Sequence, residues 1–328
     1  MNSWKNLKGA VLTLGLALGG QAAYAQDDYP NKPIEITAPY DAGGATDRMV
    51  RHLAPFLADA LGTPVNVVNR PGGGTLTGTV YFHNQPADGY TVMFIPPTPY
   101  FVNHIEVMNA PFKLDDFIFV NAQEVAQSLM VVPKGSQVQS FDEIIEGLKE
   151  PGKLSAAVIT GSSEHISLLL MMEKLGIPSE NLRLVTYDGG GPTRTAIIGG
   201  QVDFGMVPGQ GSEVIFDQVN KIMVVADETN PDWPDATPIN EALKSYGVEM
   251  PILDSSVRSM VVLAKLKEEY PDRYQKFVDT YKSVVESEEY QASAKEGNYG
   301  RDWRGPEAST ELVKRNYGLL VEYSRLLE

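Results

Sequence analysis

The sequence predicts an α/β protein of two lobes, and three observations support this prediction. Short runs rich in β-branched and aromatic residues alternate with longer segments whose apolar residues recur at helical spacing. This alternation is typical of α/β folds with largely parallel sheets. The chain has 328 residues, of which 43% are hydrophobic, enough for two cores at the usual ~100 to 200 residues per domain. A proline-rich stretch late in the chain marks a crossing between lobes.

Two crossings divide the chain. The first lies near Gln127, just before an apolar run. The second follows the run that ends at Ala226, where Pro231, Pro234 and Pro238 interrupt regular structure. We therefore expect a leader over residues 1–25, a first lobe over 26–127 together with 228–328, and a second lobe over 128–227.

The first residues are typical of an export leader. Lys5 and Lys8 precede an apolar run over residues 10–18, and the small-residue triplet that ends at Ala25 follows, which predicts cleavage near Ala25 and a periplasmic protein. The alternative, a membrane anchor, is disfavoured because the run is shorter than the ~20 residues that span a bilayer. The sequence contains no cysteine, so neither a lipid anchor nor a disulfide is expected.

The elements follow in order along the chain. We predict strands over residues 34–38, 65–68, 90–95, 129–132, 156–159, 182–187 and 222–226. A helix is predicted to end at Ala60, another to begin at Phe141, and two more to cover 274–287 and 310–327. In such folds, ligands bind at the carboxyl ends of the strands. The loops at those ends are therefore the candidate binding elements.

The loop after the first predicted strand is the most informative of these. Residues 39–44 form a glycine turn that leads into an amphipathic helix, with Thr46 or Asp47 as the predicted cap residue. The first N–H groups of a helix have no partner within the helix, and the helix dipole is positive there. The turn is therefore predicted to bind an anion such as a carboxylate.

The overall charge limits the classes of partner. The net charge is −15, and it becomes more negative when Lys5 and Lys8 leave with the leader. This acidity argues against nucleic acid and anionic lipid as partners, although it also serves solubility. An anionic ligand would therefore have to be bound by local geometry, because long-range attraction is absent.

Seven motifs occur in the order of one known family. They lie at residues 29–34, 39–47, 69–74, 87–91, 151–165, 187–192 and 199–203. Together they resemble the Bug-type (TctC-like) periplasmic solute-binding proteins of the tripartite tricarboxylate transporters. The resemblance implies a two-lobed, type II-like periplasmic-binding-protein fold with a hinge. It also implies a monomer that carries a small organic carboxylate (mono-, di- or tricarboxylate, aromatic ones included) to the large and small membrane subunits of a permease.

The resemblance also implies a set of ligand-binding residues. From the first lobe these are Tyr40, Ala42, Gly43, Gly44, Thr46, Asp47 and Thr98. From the second lobe they are Thr160, Ser162, Ser163, His165, Tyr187, Gly189, Gly190, Gly191 and Asp203. For three of them a structural role competes with ligand contact: capping for Asp47, packing or hydrogen bonding for His165, and fixing the following strand for Asp203. The glycine loop at 69–74 either shapes the cleft or is only a tight turn.

Tyr40 and Ala42 depart from the phenylalanine and proline that are usual in the family. Arg48, Arg194 and Arg258 are candidate partners for a second carboxylate, with solvated or inter-helix arginines as the competing interpretation. No metal or cofactor is expected, because zinc-ligand spacing, a nucleophile elbow and a phosphate loop are all lacking. The chain is therefore predicted not to be an enzyme. The remaining alternatives are a ligand-binding partner of a membrane sensor and an exported α/β enzyme.

Overall fold

The computed structural model describes residues 28–187 and 189–327. The predicted leader and its cleavage near Ala25 lie outside the described residues. Among the residues that are described, no helix is both long enough and apolar enough to cross a membrane.

The strands, in chain order, are β1 (Ile34–Ala38), β2 (Val65–Asn69), β3 (Thr91–Ile95), β4 (Phe117–Ala126), β5 (Ser128–Pro133), β6 (Ser155–Ile159), β7 (Arg183–Tyr187), β8 (Phe204–Pro208), β9 (Val219–Val224), β10 (Thr237–Pro238) and β11 (Ser256–Leu263). The helices are α1 (Ala45–Leu61), α2 (Leu76–His83), α3 (Tyr100–Val102), α4 (Phe141–Leu148), α5 (Ser163–Lys174), α6 (Gly190–Ile198), α7 (Ile239–Leu243), α8 (Ala264–Glu269), α9 (Pro271–Glu286), α10 (Glu288–Glu296) and α11 (Gly305–Tyr323). A π-helical turn, Asn103–Val107, continues α3.

The described residues form two separate sheets with helices packed around them. The first has the order β2-β1-β3-β11-β4 and the second β10-β9-β5-β8-β6-β7. This arrangement confirms the two-lobed α/β architecture. The sheets are more mixed than expected, because β11 runs antiparallel to β3 and β4, and β5 runs antiparallel to β8 and β9. Each of these two strands is the first after a crossing from the other sheet, which explains its reversed direction.

The crossings position the cleft between the sheets. β4 ends at Ala126 and β5 begins at Ser128, so a single residue, Gln127, joins the two sheets. On the return, the N–H of Ser255 donates to the carbonyl of Ala126 at 2.9 Å, which holds the two crossing segments side by side. β10 still pairs with β9 of the second sheet, so the second sheet extends beyond the boundary expected at residue 227.

Buried side chains cover both faces of both sheets. On the first sheet, α1 and α9 pack together over one face through residues such as Leu53 and Phe277. α11 bridges the two halves of the molecule. Val313 near its middle belongs to a core of the first sheet, and Leu320 belongs to a core of the second. Just beyond α11, Arg325 forms a bidentate ion pair with Glu173 of α5.

Candidate functional site

The loop between β1 and α1 forms the first side of the candidate site. Gly43 adopts the left-handed conformation with φ of 87°. Gly44 is the N-cap residue and makes no side-chain cap bond, so the first N–H groups of α1 have no partner from a capping side chain. Ala42, Gly43 and Gly44 are exposed. The predicted cap is thus wrong: Thr46 and Asp47 lie inside the first turn, and glycine leaves this helix start open.

The carboxylate of Asp47 accepts hydrogen bonds that hold this loop in place. Its Oδ2 accepts from the N–H of Gly43 at 2.8 Å, and its Oδ1 accepts from Nδ2 of Asn69 at 2.7 Å. Arg51 Nε donates to both oxygens at 3.0 Å. Burial alone would raise the pKa of Asp47, but these three donors outweigh burial and hold that pKa below its ordinary value. Asn69 also donates to the carbonyl of Tyr40 at 3.0 Å, so the start of the 69–74 loop shapes the site.

Two tyrosines and an arginine lie beside the open helix start. The rings of Tyr40 and Tyr100 meet edge to face with centroids 5.9 Å apart. Within the described chain, the buried hydroxyl of Tyr40 has no hydrogen-bond partner, and burial raises its pKa well above the usual value. Arg258 Nε donates to Oγ1 of Thr46 at 3.3 Å, and its guanidinium pairs with Glu124. Arg258 is therefore a buried arginine of the site, not a solvated one.

Thr98 follows β3 at the same edge of the sheet. It is fully buried, and its Oγ1 finds no partner among the described residues. A buried hydroxyl without a partner costs about 1 to 3 kcal/mol. This position is therefore unfavourable in the unliganded protein, and a ligand oxygen that reached it would satisfy the hydroxyl.

We predict that Thr98→Val weakens ligand binding by about 1 kcal/mol, because valine keeps the shape and removes the hydroxyl. Stability should stay the same or rise, since a buried unpaired group is lost. Calorimetry and thermal unfolding of the purified variant measure both quantities. Ser162→Ala is the contrasting variant: it removes a helix cap and should lower stability by about 1 kcal/mol. Unchanged affinity in Thr98→Val would remove Thr98 from the site.

The second side of the site is built by the loop between β6 and α5. Most of the predicted donor groups of this loop already form hydrogen bonds within the protein. Thr160 Oγ1 donates to the carbonyl of Tyr187 at 3.2 Å, Ser162 Oγ caps α5 by accepting from the N–H of His165, and His165 Nδ1 accepts from the N–H of Gly161. Only Ser163 Oγ, in a fully buried residue, lacks a partner within the described part of the loop. The competing role expected for His165, hydrogen bonding within the protein, agrees with this contact.

Glu164 was not predicted, although it is the most unusual residue of this loop. The residue is only 1% exposed, and its carboxyl accepts from Ser128 Oγ at 3.2 Å. Burial raises the pKa of Glu164, while the hydroxyls of Ser255, Ser162 and Ser128 and its own N–H oppose part of that rise. Ser128 and Ser255 flank the two crossings, so Glu164 lies where the lobes join. An acidic residue in the first turn of the otherwise apolar helix α5 was the available signal in the sequence.

The start of α6 completes the second side. Gly189 is the N-cap residue and makes no side-chain cap bond, and α6 begins with Gly190 and Gly191. Among the residues that the structure describes, no side chain caps its first N–H groups. The hydroxyl of Thr193 donates to the carbonyl of Gly189 at 2.9 Å and fixes the turn. Tyr187, at the end of β7, is half-buried beside it.

Asp203 is not brought together with the other predicted residues. It precedes β8, whereas the other second-lobe residues follow the carboxyl ends of β6 and β7. Its Oδ2 accepts from the N–H and the Oγ of Ser155 at 2.8 and 2.7 Å, which joins the starts of β6 and β8. Asp203 lies at the opposite edge of the sheet and holds two strands in register. This position does not support a ligand-binding role for Asp203. It supports the competing structural role.

The two sides face each other across the junction of the lobes. The phenol of Tyr100, from the first lobe, is close enough to both Arg258 and Glu164 for their charges to affect its pKa, which burial raises. The loop before α1 and the loop before α5 are therefore neighbours at the junction of the two sheets. Uncapped N–H groups and buried hydroxyls at such a place can hold an anion. Among the described residues, no cluster of side chains suited to a metal ion occurs.

Comparison with known sequences identifies one family. The model of the family described as "Tripartite tricarboxylate transporter family receptor" (TctC) matches residues 49–289. A protein encoded in the tcbD-tcbE intergenic region of Pseudomonas sp. (strain P51) is 28% identical over 246 residues, which cover 74% of this chain and 72% of that protein. BugT of Bordetella pertussis is 32% identical over 198 residues, which cover 59% of this chain and 60% of BugT.

Comparison with solved structures agrees on the fold. A ligand-free TctC solute-binding protein from Polaromonas has a TM-score of 0.72 at 18% identity, covering 90% of this chain and 99% of that one. A Rhodopseudomonas palustris protein determined with adipate has a TM-score of 0.70 at 19% identity (92% and 98% coverage). MatC from the same species, with bound malate, has 0.68 at 18% (92% and 100%). These values confirm the predicted two-lobed binding-protein fold.

Proposed function

Because the chain belongs to the tripartite tricarboxylate transporter receptor family, we propose that it captures a small organic carboxylate between its lobes and delivers it to the large and small membrane subunits of a permease. The family is one of receptors, so the chain is a solute-binding protein and not an enzyme. The adipate and malate found in two structures of the same fold support a carboxylate as the ligand class. A structure of the same fold described as the periplasmic binding protein BugD (TM-score 0.65, 20% identity) supports a periplasmic location for this chain.

The observation that carries the proposal is the pair of glycine helix starts, one in each lobe, that follow the carboxyl ends of β1 and β7. Carboxylates bind well where several fixed N–H donors converge, because the donors need no reorganisation. Three buried hydroxyls of the cleft, those of Tyr40, Thr98 and Ser163, lack partners among the described residues. They offer hydrogen bonds that a ligand oxygen would complete. Glycine at positions 43, 44, 190 and 191 lets the backbone approach a ligand closely.

Capture requires a hinge, and the two crossing segments are the candidates. Only Gln127 separates β4 from β5, and Ser255 is bonded to Ala126 across the other crossing. A small change in backbone angles at these residues would close the lobes over the ligand. Closure would exclude water and strengthen the hydrogen bonds to the carboxylate. We propose that the protein acts as a monomer, because the cleft is formed within one chain.

The proposal predicts that carboxylates raise the melting temperature of the purified protein. A ligand that binds only the folded state stabilises it by about 2.7 kcal/mol at a hundred times its Kd, which corresponds to a rise of about 5 °C for a chain of this size. A thermal-shift screen should include mono-, di- and tricarboxylates, aromatic ones included, with sugars and amines as the matched negative set. Stabilisation by a sugar or an amine, with none by any carboxylate, would overturn the proposed ligand class.

Partnership with a permease needs a separate test. Uptake of the stabilising carboxylate by cells should depend on both this chain and the two membrane subunits. Unchanged uptake after deletion of the membrane subunits would instead favour a partner of a membrane sensor.

A further inference from the structure

The single residue that joins the two sheets, Gln127, is bonded to the second lobe on three sides. Its N–H donates to Oε1 of Gln210 at 2.9 Å, and its carbonyl accepts from the N–H of Gly209 at 2.7 Å. Its side-chain oxygen accepts from Nδ2 of Asn230 at 2.8 Å. Gly209 and Gln210 follow β8, and Asn230 follows β9. Gln127 is therefore held as part of the second lobe, although it comes directly after the last residue of β4.

The two loops that bind Gln127 are packed against each other. Trp233 is only 3% exposed, and a β-carbon built on Gly209 would overlap its ring. The carbonyl of Asn230 accepts from the N–H of Trp233 at 3.0 Å, and Oδ1 of Asn230 accepts from the N–H of Asp232 at 2.7 Å. Both ends of the Asn230 amide are thus used, one within its own turn and the other on Gln127. The position of Gln127 is therefore fixed by two loops that support each other.

One peptide group lies between these loops and the second crossing. In the peptide that joins Ala126 to Gln127, the carbonyl accepts from the N–H of Ser255 at 2.9 Å, and the N–H donates to Gln210. A peptide group is planar, so its carbonyl and its N–H rotate together. Rotation of this peptide therefore disturbs both hydrogen bonds at once. Gln210 thus opposes bending at this point, and the chain is left free to bend on the first-lobe side of the peptide.

We propose that Gln210 and Asn230 are positioning residues for ligand capture, because they hold Gln127 on the second lobe and confine lobe movement to the chain before it. This inference rests on the proposed capture of a ligand between the lobes and identifies side chains that control the movement. Without these two side chains, the junction samples more orientations of one lobe relative to the other. Only some of these orientations bring both sides of the site to a ligand, and the apparent affinity falls with the fraction of molecules that adopt them.

The test measures the distance between the lobes in the ligand-free protein by double electron–electron resonance. The sequence contains no cysteine, so Ala60→Cys in α1 and Ser179→Cys ahead of β7 provide two unique and exposed labelling positions. Gln210→Met keeps the length of the side chain and removes the acceptor, so it should broaden the distribution of distances. Gln210→Glu keeps an acceptor for the N–H of Gln127 and should give the wild-type width.

Asn230→Asp provides a second variant with its own control. It keeps the oxygen that accepts from Asp232 but cannot donate to Gln127, so it should also broaden the distribution. Asn220→Asp is the matched control, since Asn220 is exposed at the start of β9 and donates in the same way to Gln139, at 2.6 Å. The start of β9 pairs with the end of β5 that is remote from the crossing. This control should leave the distribution unchanged.

Calorimetry with a carboxylate that stabilises the wild type supplies the second readout. Gln210→Met and Asn230→Asp should each bind it about three- to tenfold more weakly, the change expected for one neutral hydrogen bond. Unchanged distance distributions in both variants, or equal broadening in Asn220→Asp, would overturn the proposal. Weaker binding with an unchanged distribution would also overturn it, because the residues would then act on the ligand directly. Failure of every carboxylate to bind the wild type would overturn the proposed function, while the ligand-free distances would still test the role of Gln210 and Asn230.

Discussion

Replacing Asp47 with alanine is expected to lower the free energy of unfolding by about 2 to 4 kcal/mol and to abolish tight ligand binding. The variant removes the acceptor of the Gly43 N–H and one of the two acceptors of the Asn69 amide, and each lost hydrogen bond to a charged group contributes about 1.5 to 3 kcal/mol. It also frees the glycine loop before α1, in which the proposed binding groups lie. Chemical denaturation gives the stability, and calorimetry with the best carboxylate gives the affinity.

The pH dependence of the same variant provides a second measurement. The pKa of Asp47 is lower in the folded protein than its ordinary value, so the ionised carboxylate stabilises the fold. That contribution is present above the ordinary pKa of aspartate, near 3.9, and is lost as the pH falls through the lower folded value. Asp47→Ala should therefore lose less stability than the wild type on acidification below about pH 4.

Arg51→Ala is the control for the ion pair alone. Arg51 is 46% exposed at its side chain, and a pair with one solvated partner contributes little. This variant should therefore cost no more than about 1 kcal/mol. If Asp47→Ala and Arg51→Ala were equally mild, the bracing role of Asp47 would be wrong.

The sequence predicted best where local pattern decides the structure. The strand over residues 34–38 and the glycine turn after it are found as expected, because alternating apolar residues and a left-handed glycine need no tertiary information. The strand β4 was missed even though it is ten residues long. It is nearly all buried, and a buried run gives no alternation to distinguish it from a buried helix. β11 was missed for the same reason.

The positions of the glycine turns followed from local pattern, whereas the ligand-binding roles of their residues stay predictions. Gly43 and Gly44 precede or cap α1, and Gly190 and Gly191 begin α6. Which hydroxyls remain unpartnered depends on contacts between distant elements, such as the bond from Thr160 to the carbonyl of Tyr187. No local pattern encodes such pairings. The burial of Glu164 depends likewise on the two crossings, which come together only in the folded chain.

Replacing Glu164 with glutamine is expected to stabilise the protein at neutral pH by about 1 to 3 kcal/mol, the cost of a buried charged group that is incompletely satisfied. Burial raises the folded pKa of Glu164 above its ordinary value, so the fold favours the protonated carboxyl. The free energy of unfolding is then highest below the ordinary pKa of glutamate, near 4.3. It falls as the pH rises from there through the pKa of Glu164 in the folded protein. Glutamine cannot ionise and avoids this loss.

The advantage of Glu164→Gln should therefore vanish at a pH below about 4 and be complete above the folded pKa, which denaturation at a series of pH values would measure. Glu180→Gln changes the same charge at an exposed position of the same lobe. The difference in the free energy of unfolding between this variant and the wild type should not change with pH. The variant should also bind an anionic ligand more tightly at neutral pH, because a negative charge beside the cleft is removed. A constant difference at every pH would mean that Glu164 does not titrate between the two states. Because the hydroxyl of Ser128, beside the crossing at Gln127, donates to Glu164, a pH-dependent gain would show that ionisation of this one carboxyl destabilises the region where the two sheets join.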